Sequence, residues 1–542
     1  MKLTRLNEGC FCSLLLAAAA LAGAQPAPKP GSVSGLVINS VTKGPAGKAT
    51  VALHNTAKGF AYATVADDAG RFQFPSVEPG PGYVLTADAP GFLQDWAHRA
   101  RPFTVAEDQR VTGITAPVMP GGAIAGKVVD ADGDPLSGVQ VTLLLYGYES
   151  GKRQLRPSQT QATDDRGEYR LSLLGPGRYY LAAKFPQRQA DPPGRMHRNG
   201  PDLDYALTFY PKAPDVSGAA PIDLAPGGEI DGIDFRLQKI RLYHIRGKIA
   251  EYQGSQQMPM AVAARCEPGE PQIFNASGAS PIAAKDGSFD IPRTAPGAYC
   301  VSAQANRETA RQTVTITDRD VDNLTLTMTP TFPVKGSVAV EGAPLDNWKN
   351  FRITLMATVT FQARASAQVR ADGSFVLENA QPLTYSLQYD GLPENAYIKS
   401  MSLNGREAPD GRINLTSGAD TLKLIVATET GQVSGSLRSA NGGPAAGAAV
   451  VIAAAGPSLR QDRIQSALTD ANGNFTLTGI PPGGYQVFAF EQIDINSMAA
   501  PEYRQPFESM AASVTVHSNG HETVDVKVNS ADQIDEALKK LR

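Results

Sequence analysis

One pattern, clearest in residues 469–485 (TDANGNFTLTGIPPGGY), recurs five times in this 542-residue chain and leaves it little freedom of fold. It begins with an Asp-containing turn closed by Gly473, followed by a short alternating strand carrying Phe475 and Leu477. A second turn of Pro481, Pro482, Gly483 and Gly484 then leads into a strand opened by Tyr485 and continued by Val487 and Ala489. Asp accepts hydrogen bonds from the backbone of its own turn, and glycine takes positive φ without steric cost, so the first turn has a mechanism. Period-2 alternation on both sides of the second turn predicts a β-hairpin with one buried face.

The turn glycine and its aromatic recur as Gly70/Phe72, Gly167/Tyr169, Gly287/Phe289, Gly373/Phe375 and Gly473/Phe475. From that glycine to the next tyrosine the distance is 13 residues in copy one and 12 in the others, the spacing of a hairpin kept in register. Each copy opens on a Gly-x-Val-type strand, at Gly35, Gly126, Gly247, Gly336 and Gly435, with steps of 91, 121, 89 and 99 residues, each the size of one small β-domain. Copies three and four place Asp286 and Asp372 directly before the glycine, which predicts a different turn type there. Copy four reads QPLTY at residues 381–385, without the turn glycine, and predicts an altered loop.

Gly-x-Val, a Gly/Pro turn such as DGDPLSGV at residues 132–139, T-D-x-x-G-x-F/Y and P-G-x-Y together resemble the carboxypeptidase regulatory-like domain family. The resemblance implies a transthyretin-like (prealbumin-like) sandwich, similar to Cna-B-type and starch-binding-like sandwiches. It is strongest in copies two and five, good in one and weaker in three and four. The fold expected is therefore all-β, a tandem string of five Ig-like or prealbumin-like Greek-key β-sandwich domains. The expected division is a signal over 1–24, sandwiches over 25–120, 121–240, 241–331, 332–429 (degenerate) and 430–530, and a helix or tail over 531–542. Copy two carries an insertion at 184–226, rich in Pro, Arg and Asp, which reads as a surface excursion tied down by its aromatics or as a binding loop.

Composition fits this reading. The chain has 52 Gly and 40 Pro, and Lys+Arg 50 against Asp+Glu 53 gives a net charge of -3, with no electrostatic drive toward nucleic acid. Lys2 and Arg5, the apolar run at 11–21 and Ala22-Gly23-Ala24 have the three parts of a secretory signal cleaved before Gln25. The run is well short of the ~20 residues that span a bilayer, and no later segment is apolar for long enough. The mature chain is thus expected to be exported and without a transmembrane segment, in the periplasm, at the cell surface or outside the cell. Cys10 and Cys12 would leave with the signal, so Cys266 and Cys300, both in predicted strands of copy three, are expected to form a disulfide; two buried thiols are the alternative.

The search for chemistry finds no catalytic site, and no cofactor is expected. None of His54, His98, His197, His244, His517 and His521 is followed at +3 by Glu, so the zinc-binding pair of a carboxypeptidase is absent. His517 and His521 flank Asn519-Gly520, a hairpin-turn pair rather than a helix that would bring both rings to one side. GGAIAGKV at 121–128 lacks the Ser/Thr of a phosphate-binding loop and begins a strand. Asp130, Asp132 and Asp134 around Gly133 suggest either a calcium loop or the ordinary strand-connecting turn. Trp96, Trp348, Tyr146, Tyr148, Tyr205 and Tyr210, in or near predicted loops, would be the aromatics to meet a sugar ring. The function expected is a non-enzymatic scaffold, adhesion or binding module whose partner is a polysaccharide or another surface protein. The alternative is a dedicated carbohydrate-binding protein, or an accessory to a separately encoded polysaccharide hydrolase or outer-membrane transporter.

Overall fold

The computed structural model describes residues 28–542 except 56–57, 96–101, 150–151, 187–201, 253–258, 266–275, 345–349, 359–362, 440–441, 456–463 and positions 284, 306, 394, 410, 492, 540 and 542. The expected signal, Trp96, Trp348, Cys266 and part of the 184–226 insertion lie outside the described residues. The regular secondary structure of the described chain is almost entirely strand, in many small sheets.

Each stretch that carries the motif builds two sheets around a core of its own. In copy one, Gly31–Asn39 lies between Arg71–Val77, antiparallel, and Arg110–Pro120, parallel. The facing sheet runs Phe60–Val65, Thr50–Asn55, Gly80–Asp88, Phe103–Val105. The same plan returns in copy four, with Phe332–Glu341 between Ser374–Ala380 and Thr421–Ala427, and in copy five, with Gly431–Ser436 between Asn474–Ile480 and His521–Thr523. In each of these copies the first strand, paired in parallel with a strand from near the end of the copy, closes one of the two sheets over long sequence distance.

The opening glycine has a packing reason that the spacing alone did not reveal. In every copy it stands directly across the ladder from the motif aromatic: Gly35 from Phe72, Gly126 from Tyr169, Gly247 from Phe289, Gly336 from Phe375 and Gly435 from Phe475. In copy four a Cβ on Gly336 would come within 2.0 Å of the Phe375 ring, so the ring occupies the space a side chain would need.

Most strands alternate buried and exposed residues, as sheets with one solvated face do. Copy five departs from this, because Ala449–Ala454 is buried on both faces through Ala453, and Val487 to Phe490 are buried in succession. The second face is covered by a satellite cluster of Phe488, Phe490, Met498, Tyr503, Phe507 and, from the C-terminal helix Ala531–Lys539, Ile534. The tail is thus a helix held down by its apolar face.

Candidate functional site

The repeated motif is not the hairpin expected from its alternation: in every copy its two strands belong to opposite sheets, as where Asn474–Ile480 pairs with Gly431–Ser436 and Gly483–Phe490 with Ala449–Ala454, so the second turn crosses from one sheet to the other. The polar groups of the motif are engaged within the fold. Asp67 Oδ1 accepts from the backbone N–H of Ala69 (3.0 Å) and Arg71 (2.8 Å), Asp164 Oδ1 from Arg166 (2.9 Å) and Glu168 (2.8 Å), and Asp470 Oδ1 from Asn472 (2.9 Å) and Asn474 (2.8 Å). The Arg71 amide, reinforced by its guanidinium, holds Asp67 below the usual carboxylate range; for Asp470 the Asn474 amide does the same. Gly473 has φ +79°, and a Cβ there would come within 2.4 Å of Leu437 O. Its own carbonyl accepts from Leu437 N–H at 2.7 Å, tying the turn to the opening strand.

Copy four corrects the expectation of a different turn. Arg370 N–H donates to Ser374 O and Gly373 N–H to Arg370 O, both at 2.9 Å, the bonds Asp67 and Gly70 make in copy one. Only the side-chain partner has moved, since Asp372 now accepts from Ser374 N–H (2.9 Å) and its hydroxyl (2.7 Å). Copy three does differ, with a wider turn in which Gly287 N–H donates to Ala283 O.

The tyrosine after the second turn is buried in every copy, and in copies one, two and four its hydroxyl fastens that turn. Tyr83 donates to Glu78 O (2.5 Å), Tyr179 to Gly175 O (2.8 Å) and Tyr385 to Gln381 O (3.2 Å). In copy four Gln381 N–H also donates to the Tyr385 hydroxyl, so the loop without its glycine is still pinned. The Thr that begins the motif is a buried strut, because Thr469 Oγ1 donates to Ala445 O (2.5 Å) and accepts from Ala448 N–H (2.9 Å). Thr163 makes the same pair of bonds to Leu136 and Val139.

Where the copies differ, Asp130 is drawn into its own turn while Asp132 and Asp134 stay exposed. Asp130 Oδ1 accepts from Asp132 N–H (2.9 Å) and Asp134 N–H (3.0 Å), and its other oxygen is 3.9 Å from Lys239 Nζ. Burial pushes its pKa up, but the amide donors of Asp134 and Asp132 and then Lys239 outweigh it, and the group lies below its usual value. Its oxygens therefore serve the strand-connecting turn, and among the described residues no group of three or more His, Cys, Asp or Glu is placed to hold a metal ion. His517 and His521 flank a turn in which Gly520 N–H donates to His517 O, and His517 Nδ1 lies 2.8 Å from Glu522.

The four described aromatics do not form one flat platform. Tyr146 and Tyr148 lie on the strand Gln140–Glu149, not in a loop. Tyr146 meets Tyr180 edge-on (5.4 Å, 86°) under the Arg153 guanidinium, and Tyr148 is buried against Tyr503. Tyr205 packs on Phe185 (5.3 Å) and Tyr210 on Phe235 (6.0 Å). The described part of the insertion acts as a cover: Thr208–Phe209 adds to the sheet edge beside Ala182 and Ala183, and Phe209 is buried with Leu144 and Leu155. It also braces copy three, where Arg293 reaches back to Asp202 and to Asp204 (2.6 Å). That ion-paired joint was not foreseen, because charge spacing along a chain does not say which carboxylates meet.

Cys300 lies on Gly297–Ala305, across the ladder from Ala264, with Arg311 Nη2 3.1 Å from its sulfur. A groove of about 890 Å³ on copy one is lined by Ser34, Leu36, Thr64, Arg71 and Gln73 with exposed Val65 at its rim. It is shallow and without a cluster of titratable groups beyond the Asp67–Arg71 pair (2.9 Å). Among the described residues no helix is long and apolar enough to cross a membrane.

Paired sheets, joined by a repeated turn that crosses from one to the other and is followed by a buried tyrosine, define a tandem β-sandwich protein. Three of its stretches, 32–116, 123–194 and 432–529, match the family model of the carboxypeptidase regulatory-like domain, so in copies one, two and five the resemblance carried by the motifs is a family match. No curated protein matches the chain in sequence. Among solved structures it is similar to the Bacillus anthracis TIE protein, at 14% identity over 55% of this chain and 51% of that one (TM-score 0.17). It is also similar to a streptococcal ancillary pilin (14%, 56% and 100%, TM-score 0.23) and to a minor pilin of Streptococcus agalactiae (15%, 39% and 96%, TM-score 0.22). The chain spans about half the length of the first of these, 51%.

Proposed function

We propose that this protein is an exported, non-enzymatic scaffold that acts at the cell surface, in the periplasm or outside the cell by binding another surface protein. One observation carries the reading: the residues of the repeated motif that would have to do chemistry, Asp470 and Asp67, each have one carboxylate oxygen committed to two backbone N–H groups of their own turn and the other facing a side chain of that turn. Such a motif maintains sandwiches, and sandwiches in tandem offer loops and edges to partners. The carbohydrate-binding alternative draws less support, since Tyr146, Tyr148, Tyr205 and Tyr210 each pack against another ring.

The test is expression of the tagged chain, fractionation, and binding of the purified mature protein to intact cells. The mature N-terminus should be Gln25, in an exported fraction, and binding should fall after protease shaving of the cells while surviving periodate oxidation of their sugars. The opposite pattern of sensitivity selects the carbohydrate reading. A cytoplasmic protein retaining residues 1–24 overturns export.

A further inference from the structure

Copy two contributes a feature that a self-contained sandwich does not need. The strand Gln140–Glu149 pairs with Lys152–Ala162 along its whole length, but its other neighbour, Gly177–Lys184, pairs only as far as Leu144. Beyond Leu144 the hairpin continues as a two-stranded arm, and an isolated two-stranded ribbon is at best marginally stable in water. This arm is not isolated. Tyr148, near its tip, is buried against Tyr503 of copy five, ring centroids 5.1 Å apart at 64°, in the satellite cluster formed by Phe488, Phe490, Met498 and Phe507. Beside it Arg153 Nη1 lies 3.8 Å from Glu502 Oε1.

A second contact joins the same parts of the chain independently. The turn at Gly447 in copy five lies against Pro102 of copy one, close enough that a Cβ on Gly447 would stand 3.1 Å from the proline ring. Copy five therefore touches copies one and two, although copies three and four intervene in the sequence. Copies one, two and five are also the three that match the family model, while residues 195–431 lie outside the match.

We propose that the chain is not a linear string in solution: the arm of copy two is a clasp that holds copy five against copies one and two, and copies three and four form a closed excursion between the clasped parts. Two features of the sequence follow. The satellite cluster gives the last copy its unusual burial on both faces of Ala449–Ala454, and Tyr148 gains the partner that an aromatic at the end of a ribbon otherwise lacks.

The test uses the intact mature chain. In small-angle scattering the wild type should be markedly shorter in maximum dimension than five sandwiches end to end, and Tyr148→Asp and Tyr503→Asp, from opposite sides of the clasp, should each lengthen it. In hydrogen exchange the wild-type amides at 145–149 should be protected like those at 140–144, and either variant should speed their exchange at least tenfold while Gly31–Asn39 keeps its protection. A wild type already as long as a string, or an arm that exchanges freely in the wild type, overturns the clasp. Because both of those readings need no substitution, a variant that failed to fold would not shield the proposal.

Discussion

At the scale of single residues, the motif is a set of close approaches and short hydrogen bonds, each with one job. Tyr485 fills the core of copy five and starts the strand that leaves the second turn. Tyr485→Ala should therefore cost about 3–5 kcal/mol in that copy, as large aromatic truncations do; a chemical-denaturation shift below about 1 kcal/mol would place the ring outside the core. Asp67 and Asp470 have depressed pKa values, so their contribution to stability is complete above the ordinary carboxylate range and is lost as pH falls through the folded-state values. The melting temperature should be flat from neutral pH to about 5 and fall below about 4, and Asp470→Asn should make the last copy less sensitive to acid while weakening it at neutral pH. A melting temperature for Asp470→Asn that still tracks acid as the wild type does would remove this carboxylate from the account.

At the scale of elements, the turns and strands of the motif were legible because their determinants are local: a positive-φ glycine, an Asp that caps its own turn, and alternation of period 2. The pairing was misread as a hairpin, because alternation shows that a strand has a buried face but not which sheet it joins, and the two strands go to opposite sheets. The departure in copy four was also misread, since Asp372 sits one place before the glycine yet the backbone of residues 370–374 makes the same turn. What could not be read was which outer faces are covered. Whether Tyr148 meets solvent or Tyr503 depends on where a distant element lands, and the only local signal was the uninterrupted apolar run at 449–454. In copy three, Met260–Arg265 ends one residue before Cys266, and its register sets Ala264 across from Cys300. We propose that these two cysteines are bridged. Alkylation without reduction should leave both unmodified in the exported protein and label both after reduction; labelling without reductant would show two thiols instead.

At the scale of the whole molecule, each motif-bearing stretch has its own core, so stability should be partitioned among copies, with coupling only where copies touch. Contacts between the insertion of copy two and Arg293 of copy three, and between copies two and five, are the places to look for that coupling. Function, on this view, belongs to surfaces where the copies differ rather than to the sheet-crossing motif they share. The most direct check is peptide-resolved hydrogen exchange on the intact mature chain carrying Gly435→Val, which forces a side chain into the space of the Phe475 ring. The expected result is loss of protection in Gly431–Ser436, Asn474–Ile480 and Gly483–Phe490, with Gly31–Asn39, Tyr243–Ile249 and Phe332–Glu341 as protected as in the wild type. Protection lost through all copies together, or in none, would contradict an array of sandwiches each set by its own copy of the motif.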